Sequence, residues 1–294
     1  MKIGALAPWF GGKRTLTPDI VEELGKHRMY VEPFAGGVSV ILRKPRASHE
    51  IVNDLHGDII NLARVVQCDD LGPKLFARAL RTLPAEPLLH EAVDKIRAAG
   101  RLPIDAPADL ERAYLYFVMC WLGRNGEAGL VKSERGRNIA MRFSANGGSA
   151  GVRFQGAADS IPWWWERLRS VMILRRDGFE VLADMKDEAG LVFYVDPPYV
   201  VKSDEYEHDF VSHGDDAGLL PDDHDRLVEL LNRFRKVRIV VSYYDCQRVR
   251  ELYRGWTFVK KTIAKNTSNV GGGEPTTAPE VLIINGPSLA GGGA

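Results

Sequence analysis

The sequence has no apolar run that approaches the roughly 18 residues of a membrane-spanning helix. The opening residues, MKIGALAPWFGGKRT, also lack the apolar core of a signal peptide, because Pro8, Gly11 and Gly12 interrupt it. These two absences predict a protein that neither enters a membrane nor is secreted. We therefore expect it in the cytoplasm.

Cysteine is scarce, and the three cysteines, Cys68, Cys120 and Cys246, are far apart in the chain. An odd number of widely spaced cysteines excludes a disulfide framework and the ligand spacing of a zinc finger. They are expected to be reduced core thiols. The sequence accordingly predicts no metal site.

Net charge is also missing, since 39 basic residues balance 39 acidic ones. A neutral chain argues mildly against nucleic-acid binding, but the charges are unevenly distributed. Residues 124–153 hold six basic residues against two acidic ones, a net charge of +4, whereas residues 184–225 hold two against thirteen, a net charge of −11. Such asymmetry permits one basic face.

Short apolar runs alternate with amphipathic stretches along most of the chain, the pattern of an α/β protein with a doubly wound, mostly parallel sheet. Thr17, as an N-cap before Pro18 and Asp19, predicts the first helix. The predicted strands are 30–34, 50–54, 169–174, 191–196 and 237–244, with an antiparallel hairpin of 256–264 and 280–286; further helices are predicted at 58–67, 161–168 and 222–235.

Residues 69–160 interrupt this alternation. Helical stretches (71–83, 88–98 and 110–122) give way to a segment rich in Gly, Ser, Asn and Arg. A βα connection is normally only a few residues long, so this stretch predicts an inserted domain. The resulting division is a catalytic domain of 1–68 and 161–286, an insertion of 69–160 and a disordered tail of 287–294.

The segment Asp196-Pro197-Pro198-Tyr199, directly after the apolar run LVFYV, carries the sharpest chemical signal. Two prolines fix two φ angles and remove two N–H donors, which makes a stiff rim at the carboxyl end of a strand, where open α/β sheets bind ligands. The Asp196 carboxylate and the Pro197 carbonyl are acceptors that can hold both N–H groups of an amino group, and Tyr199 supplies a face for stacking a base. The alternative is an acidic turn with an incidental aromatic residue.

Two further segments are candidates for ligand binding. Glu32-Pro33-Phe34-Ala35-Gly36-Gly37 follows the first predicted strand, where glycines let the backbone approach a ligand; a plain strand-to-helix turn is the alternative. Asp54 ends the next strand, where an acid commonly binds ribose hydroxyls, although a helix N-cap is the alternative there.

The segment Pro8-Trp9-Phe10-Gly11-Gly12-Lys13 superficially suggests a phosphate loop. It fails that pattern, because Ala7 stands where glycine is required and Arg14 stands where Ser or Thr would bind magnesium. An aromatic ring, a glycine pair and a lysine suit another task, covering an adenine ring and meeting a carboxylate.

These motifs, in this order, resemble the Dam-type, or D12-class, adenine-N6 DNA methyltransferases over nearly the whole chain. The resemblance implies a sheet of seven strands whose last strand is antiparallel, with a largely helical recognition domain inserted. It implies S-adenosylmethionine as cofactor, S-adenosylhomocysteine as product, double-stranded DNA as partner and a DNA-associated location; an obligate protein partner is not indicated. The family's cofactor contacts map onto Trp9, Lys13, the turn Glu32–Gly37, Asp54 and Asp196, and its catalytic segment maps onto Asp196–Tyr199. Ser242-Tyr243-Tyr244-Asp245 also resembles the family's pattern.

The insertion departs from Dam enzymes that read GATC, because only Asn125-Gly126 match their characteristic segment. GATC specificity is therefore not carried over, and the insertion looks more like that of phage-encoded relatives, so roles in restriction-modification, phage protection and regulation are all open. The candidate DNA contacts are Arg124, Asn125, Arg142 and Arg153, with the loop that begins Lys265-Asn266 as a second element. For each arginine the alternative is a solvated surface charge.

The resemblance implies methyl transfer to an adenine that has flipped out of the duplex, because the amino nitrogen is inaccessible inside it. Holding both N–H bonds turns the nitrogen lone pair toward the methyl group, and positioning of this kind contributes about 7–11 kcal/mol. The same geometry fits the N4 amino group of cytosine. Methylation of protein glutamine or RNA, and a catalytically inactive DNA-binding subunit, are further alternatives.

Overall fold

The computed structural model describes residues 2–9, 12–123, 138–139, 149–199, 222–263 and 278–290. Within these residues, helices and strands alternate at both ends of the chain, and six helices follow one another between them. In chain order the elements are α1 (Thr17–Leu24), β1 (Met29–Glu32), α2 (Ser39–Arg43), β2 (His49–Asn53), α3 (Gly57–Gln67), α4 (Leu71–Leu80), α5 (Glu86–Ala99), α6 (Leu110–Leu122), α7 (Ala150–Ala158), α8 (Ile161–Leu168), β3 (Met172–Leu174), α9 (Gly178–Ala183), β4 (Leu191–Val195), α10 (Asp223–Leu231), β5 (Arg238–Tyr244), α11 (Gln247–Leu252), β6 (Thr257–Ile263) and β7 (Ala278–Ile284).

The seven strands form one sheet in the order β3-β2-β1-β4-β5-β7-β6. The first five strands of that order are parallel, and β7 pairs antiparallel with both β5 and β6. The predicted α/β fold and its antiparallel last strand are therefore confirmed. The chain moves outward in one direction from β1 and in the other from β4, so the switch point, where such sheets bind ligands, lies between these two strands.

Alternate residues of the central strands enter two separate cores, one on each face of the sheet. In β4, whose five residues are all buried, Val192 and Tyr194 face one core while Leu191, Phe193 and Val195 face the other. A strand covered on both faces has a continuous apolar sequence. This explains why LVFYV directly precedes the polar end of the strand.

The helices of the predicted insertion pack on the same face of the sheet as α3. Helix α6 contacts α3, α4, α5 and α7. Its buried apolar residues belong to the same core as Tyr30 of β1 and Val192 and Tyr194 of β4. Helix α8 carries Trp164, which is fully buried; its indole N–H donates to the carbonyl of Ile3 at 2.7 Å. Trp164 is thus a core residue, and the domain boundaries stay a prediction.

Several predicted boundaries differ from the structure. Thr17 is the first residue of α1 and not its cap, because a turn already begins at Lys13, whose carbonyl accepts the Thr17 hydroxyl at 2.7 Å. The strand predicted at 169–174 shortens to β3, because α8 runs up to Leu168 and a turn follows it. None of the described helices is long and apolar enough to span a bilayer.

The tail was predicted to be disordered from residue 287, and this is wrong for 287–290. Glu23, on α1 and fully buried, accepts hydrogen bonds from the Ser288 hydroxyl and from the amides of Leu289 and Ala290. Arg238 reaches the same carboxylate at 3.2 Å. The buried charge therefore holds the end of the described chain against α1. Residues 291–294 lie outside the described residues.

Candidate active site

A cavity of about 160 Å³ opens at the carboxyl ends of β1, β2 and β4, beside the switch point of the sheet. It is lined by Trp9, Gly12, Lys13, Glu32–Gly37, Ser39, Val40, Asn53–His56, Asp177–Phe179, Tyr194, Asp196–Pro198 and Asp223. All the residues predicted to contact the cofactor are in this set. The structure thus brings together four motifs that are separate in the sequence.

The turn after β1 approaches Trp9 so closely that side chains are excluded from it. A Cβ at Gly36, where φ is +46°, would lie 2.6 Å from the Trp9 indole nitrogen, and a Cβ at Gly37 would lie 2.8 Å from the carbonyl of Ala7. Val38 follows with φ +61°, a left-handed conformation that is strained for a β-branched residue. The turn is therefore a tight backbone cradle with the Trp9 ring beside it.

Asp54 joins this turn to the end of β2. One carboxylate oxygen accepts from the Gly36 amide at 2.7 Å and the other from the His56 amide at 2.9 Å. The alternative that Asp54 caps α3 is wrong, because His56 is the cap residue and accepts from the amide of Ile59. A carboxylate offers about four acceptor positions, so Asp54 keeps some for a ligand.

Asp196, directly after β4, has a partner side chain at each of its carboxylate oxygens. The Lys13 ammonium lies 3.0 Å from Oδ2, and the Ser242 hydroxyl donates to Oδ1 at 2.8 Å. Burial raises the pKa of Asp196, while Lys13, Ser242 and a hydrogen bond from Tyr199 act in the opposite direction by stabilising its charged form. The site therefore holds a carboxylate acceptor in a fixed orientation at the edge of the cavity.

Glu32, the last residue of β1, is 2% exposed and accepts a hydrogen bond from the Tyr30 hydroxyl at 2.8 Å. Burial raises its pKa to about 8, with Asp196 adding to the effect and the Tyr30 hydrogen bond opposing it. Glu32 is thus mostly protonated at neutral pH. The cavity consequently contains one neutral carboxyl group beside the charged pair of Lys13 and Asp196.

Tyr199 is positioned differently from the open stacking face that the sequence predicted. Its ring is 3% exposed, contacts the Tyr244 ring edge-on at 4.5 Å between centroids, and has the Lys13 ammonium 4.9 Å from its centre. Tyr199 does not line the cavity, whereas Pro197 and Pro198 do. For a base to stack on the Tyr199 ring, the ring would have to move away from Tyr244 or from the Lys13 ammonium.

Sequence reasoning missed the residues that follow β3. Asp177 caps α9 by accepting from the Phe179 amide at 2.8 Å, and a Cβ at Gly178 would clash with the Phe34 ring. Phe34 and Phe179 meet edge-to-face at 6.4 Å between centroids. Their position after a predicted strand could have indicated them, because β3 is another parallel strand and its carboxyl end lies at the same edge of the sheet.

Of the predicted DNA contacts the structure describes only Arg153, which does not line the cavity. Arg153 is half-buried on α7, which packs against α6. Arg124, Asn125, Arg142, Lys265 and Asn266 lie outside the described residues. All six stay predictions.

The sequence is similar to those of known proteins. The sequence profile of the family described as D12 class N6 adenine-specific DNA methyltransferase matches residues 9–267. The retron Ec67 DNA adenine methylase of Escherichia coli is 24% identical over 289 residues, which cover 97% of this chain and 92% of that protein. A DNA adenine methylase of Haemophilus influenzae is 25% identical over 273 residues, covering 88% and 86% of the two chains. The match begins at Trp9 and runs beyond Asp196, so the chain belongs to the D12 class of N6 adenine-specific DNA methyltransferases and is an adenine-N6 DNA methyltransferase.

Proposed function

We propose that this enzyme transfers the methyl group of S-adenosylmethionine to an adenine flipped out of double-stranded DNA, and that Asp196 and Pro197 orient its amino group. The observation that carries this proposal is the Asp196 carboxylate, held by Lys13 and Ser242 on a proline rim at the cavity edge. Both acceptors lie on a stiff segment, so an amino group can be held without a moving loop.

The chemistry of the cavity fits S-adenosylmethionine. The cofactor carries a sulfonium and an ammonium, for which Glu32 and Asp196 supply carboxyl groups, and ribose hydroxyls, for which Asp54 has free acceptor positions. The Gly36-Gly37 turn packs directly against Trp9, so the indole ring is held at the cavity wall, where it can contact a flat ring. When bound, the cofactor supplies an electrophilic methyl group.

The residues of this chain contribute mainly by positioning. The N6 nitrogen of adenine is a poor nucleophile because its lone pair is conjugated with the ring. Acceptance of its two N–H bonds by the Asp196 carboxylate and the Pro197 carbonyl directs the lone pair toward the methyl group. Orientation of reacting groups can contribute about 7–11 kcal/mol.

The amino group of cytosine would fit the same two acceptors, so the nature of the methylated base is tested directly. Duplex DNA is incubated with the enzyme and labelled S-adenosylmethionine, digested to nucleosides and analysed by mass spectrometry. We expect N6-methyladenine, and sequencing of the product then gives the recognition site. Label found only in N4-methylcytosine, or only after addition of protein or RNA substrates, would overturn the proposal. The inserted stretch as reader of DNA and the cytoplasmic, DNA-associated location remain predictions beside it.

Asp54→Ala is expected to weaken binding of S-adenosylhomocysteine by about 10- to 100-fold, the size of a lost hydrogen bond to a charged group. The variant also releases the Gly36 amide, which loosens the cradle. Calorimetric titration measures the affinity, with Asp70→Ala as a control, since Asp70 is an exposed carboxylate paired with Lys74. Unchanged affinity in both Asp54→Ala and Trp9→Ala would show that the cofactor site is elsewhere.

Cofactor binding is expected to release a proton at pH 7. Glu32, with a pKa of about 8, is largely neutral in the free enzyme, and a cationic ligand beside it lowers that pKa. Affinity for S-adenosylmethionine should therefore rise with pH until about pH 8 is passed. Titration calorimetry in two buffers of different ionisation enthalpy counts the protons, and Glu32→Gln should abolish the release. Equal proton release by the wild type and this variant would rule Glu32 out as its source.

A further inference from the structure

Two buried hydroxyl groups stand in line behind the Asp196 carboxylate. Ser242, on β5, is fully buried, and so is Tyr194, on β4 two residues before Asp196. The Tyr194 and Ser242 oxygens are 2.9 Å apart, and the Ser242 oxygen is 2.8 Å from Oδ1 of Asp196. The parallel pairing of β4 with β5, which sets Val195 against Val241, brings these side chains together.

The number of protons fixes the direction of this chain of hydrogen bonds. An ionised carboxylate only accepts hydrogen bonds, so the single hydroxyl proton of Ser242 must be the one donated to Asp196. The Ser242 oxygen then accepts from Tyr194, whose hydroxyl is the donor. Burial and the nearby Asp196 raise the pKa of Tyr194 well above its ordinary value, so this donor keeps its proton throughout the working pH range.

Ser242 and Lys13 act on different oxygens of Asp196 and in different ways. Lys13, at 3.0 Å from Oδ2, supplies charge through a long and rotatable side chain. Ser242 has one rotatable bond to its hydroxyl and is fixed by Tyr194 behind it. It therefore restricts the rotation of the carboxylate, which the ammonium alone does not.

We propose that Ser242, anchored by Tyr194, is a positioning residue that fixes the rotation of the Asp196 carboxylate, so that one acceptor stays directed at the target amino group. This inference rests on the proposed role of Asp196. It assigns a task to two hydroxyl groups behind the carboxylate, of which the Tyr194 side chain also lines the cavity whereas Ser242 does not. A structural role alone, in which the two hydroxyls only satisfy each other, predicts no effect on Asp196.

The test compares Ser242→Ala, Ser242→Thr and Tyr194→Phe with Tyr253→Phe, a control that removes an equally buried hydroxyl from the opposite face of the sheet. We expect Ser242→Ala to lower kcat by about 10- to 100-fold, the equivalent of one hydrogen bond to a charged group, with KM for the cofactor within about two-fold. Tyr194→Phe should have a smaller effect of about 3- to 10-fold. Ser242→Thr should restore most of the activity, and Tyr253→Phe should behave as wild type.

A second measurement does not depend on turnover. The carboxyl group of Asp196 is followed against pH by carbon-13 NMR and identified by its absence from Asp196→Asn. Loss of the Ser242 hydroxyl should raise the titration midpoint of the Asp196 carboxyl by about one pH unit, because a hydrogen bond to its charged form is removed. Lys13, Glu32, Tyr194, Tyr199 and Tyr243, the other titratable groups that influence this carboxyl, remain in place.

A folded Ser242→Ala enzyme with the wild-type midpoint and wild-type kcat would overturn the inference. So would equal losses in kcat and in thermal stability for Ser242→Ala and Tyr253→Phe, since this is what a purely structural role predicts. If the wild type failed to methylate any DNA, the proposed function would fall. The carboxyl titration would still decide whether Ser242 holds Asp196.

Discussion

Replacement of Asp196 by alanine is expected to lower kcat for DNA methylation by at least about 10²–10³-fold, the usual cost of removing one preorganised polar group at a reacting centre. The variant loses the carboxylate that Lys13 and Ser242 hold at the cavity edge. The Pro197 carbonyl remains, but a single acceptor leaves the amino group free to rotate. Single-turnover kinetics with saturating cofactor isolate the chemical step from binding and product release.

Alanine at position 196 also leaves the Lys13 ammonium, 3% exposed, without its carboxylate at 3.0 Å. Asp196→Asn therefore accompanies it, because asparagine keeps an acceptor of the same shape while removing the charge. We expect Asp196→Asn to retain more activity than Asp196→Ala but far less than wild type. The control is Asp184→Ala, an exposed carboxylate paired with Arg176. An Asp196→Ala protein that is folded and turns over at close to the wild-type rate would contradict the assignment.

Replacement of Glu50 by glutamine is expected to cost about 3–5 kcal/mol of unfolding free energy, since it leaves buried cations without their counter-charge. The Glu50 carboxylate accepts from Lys44 at 2.6 Å, from both terminal nitrogens of Arg167 at 2.6 and 2.8 Å, and from the Ala47 amide at 3.0 Å. These contacts join β2 to α8, which lie on either side of residues 69–160 in the sequence. Urea denaturation measures the loss.

Helix α8 supplies the matched control for this experiment. Glu166 is beside Arg167 in the sequence but is 51% exposed in its pair with Arg46. An exposed pair contributes about 0–1 kcal/mol, so Glu166→Gln should be close to neutral. If Glu50→Gln were as mild as Glu166→Gln, the buried network would not be a source of stability.

The stabilisation by Glu50 should also depend on pH in a defined direction. Burial alone would raise the pKa of Glu50, but the hydrogen bonds from Arg167, Lys44 and Ala47 outweigh it and hold the pKa below its usual value. The folded pKa is then lower than that of the unfolded chain, which is about 4.3. The contribution is fully present above about pH 4.3 and is lost as the pH falls through the folded pKa. The difference between wild type and Glu50→Gln should therefore shrink in acid.

The sequence was sufficient to predict the sheet and the motifs that line the cavity, but not the segment after β3 that also lines it. Its motifs lie at the ends of apolar runs, and the carboxyl ends of parallel strands share one edge, so Glu32, Asp54 and Asp196 had to be neighbours. The order of the motifs then indicated the family. Each of these predictions could be made because a strand or a motif is recognisable from the residues of a single short segment.

What the sequence did not reveal depends on contacts between distant segments. The packing of Tyr199 against Tyr244 and the bonding of Ser242 to Tyr194 follow from the register of β4 with β5, which no local pattern specifies. The hydrogen bond from the Ser288 hydroxyl to Glu23 is a similar case. Nothing in the polar, glycine-rich sequence around Ser288 indicates that it binds a buried carboxylate on α1.

The pairing of β1 with β4 has a consequence for synthesis of the chain. Met29 pairs with Leu191, so one edge of β1 stays open on the ribosome until the residues of β4 have emerged. At about 5–20 residues per second this interval lasts roughly 10–30 s. Helices α1 to α8 can form and pack in that time, but the unpaired backbone of β1 is a template for pairing with another chain. The yield of folded enzyme is therefore tied to how well that edge is shielded during translation, and slower translation lengthens the exposure.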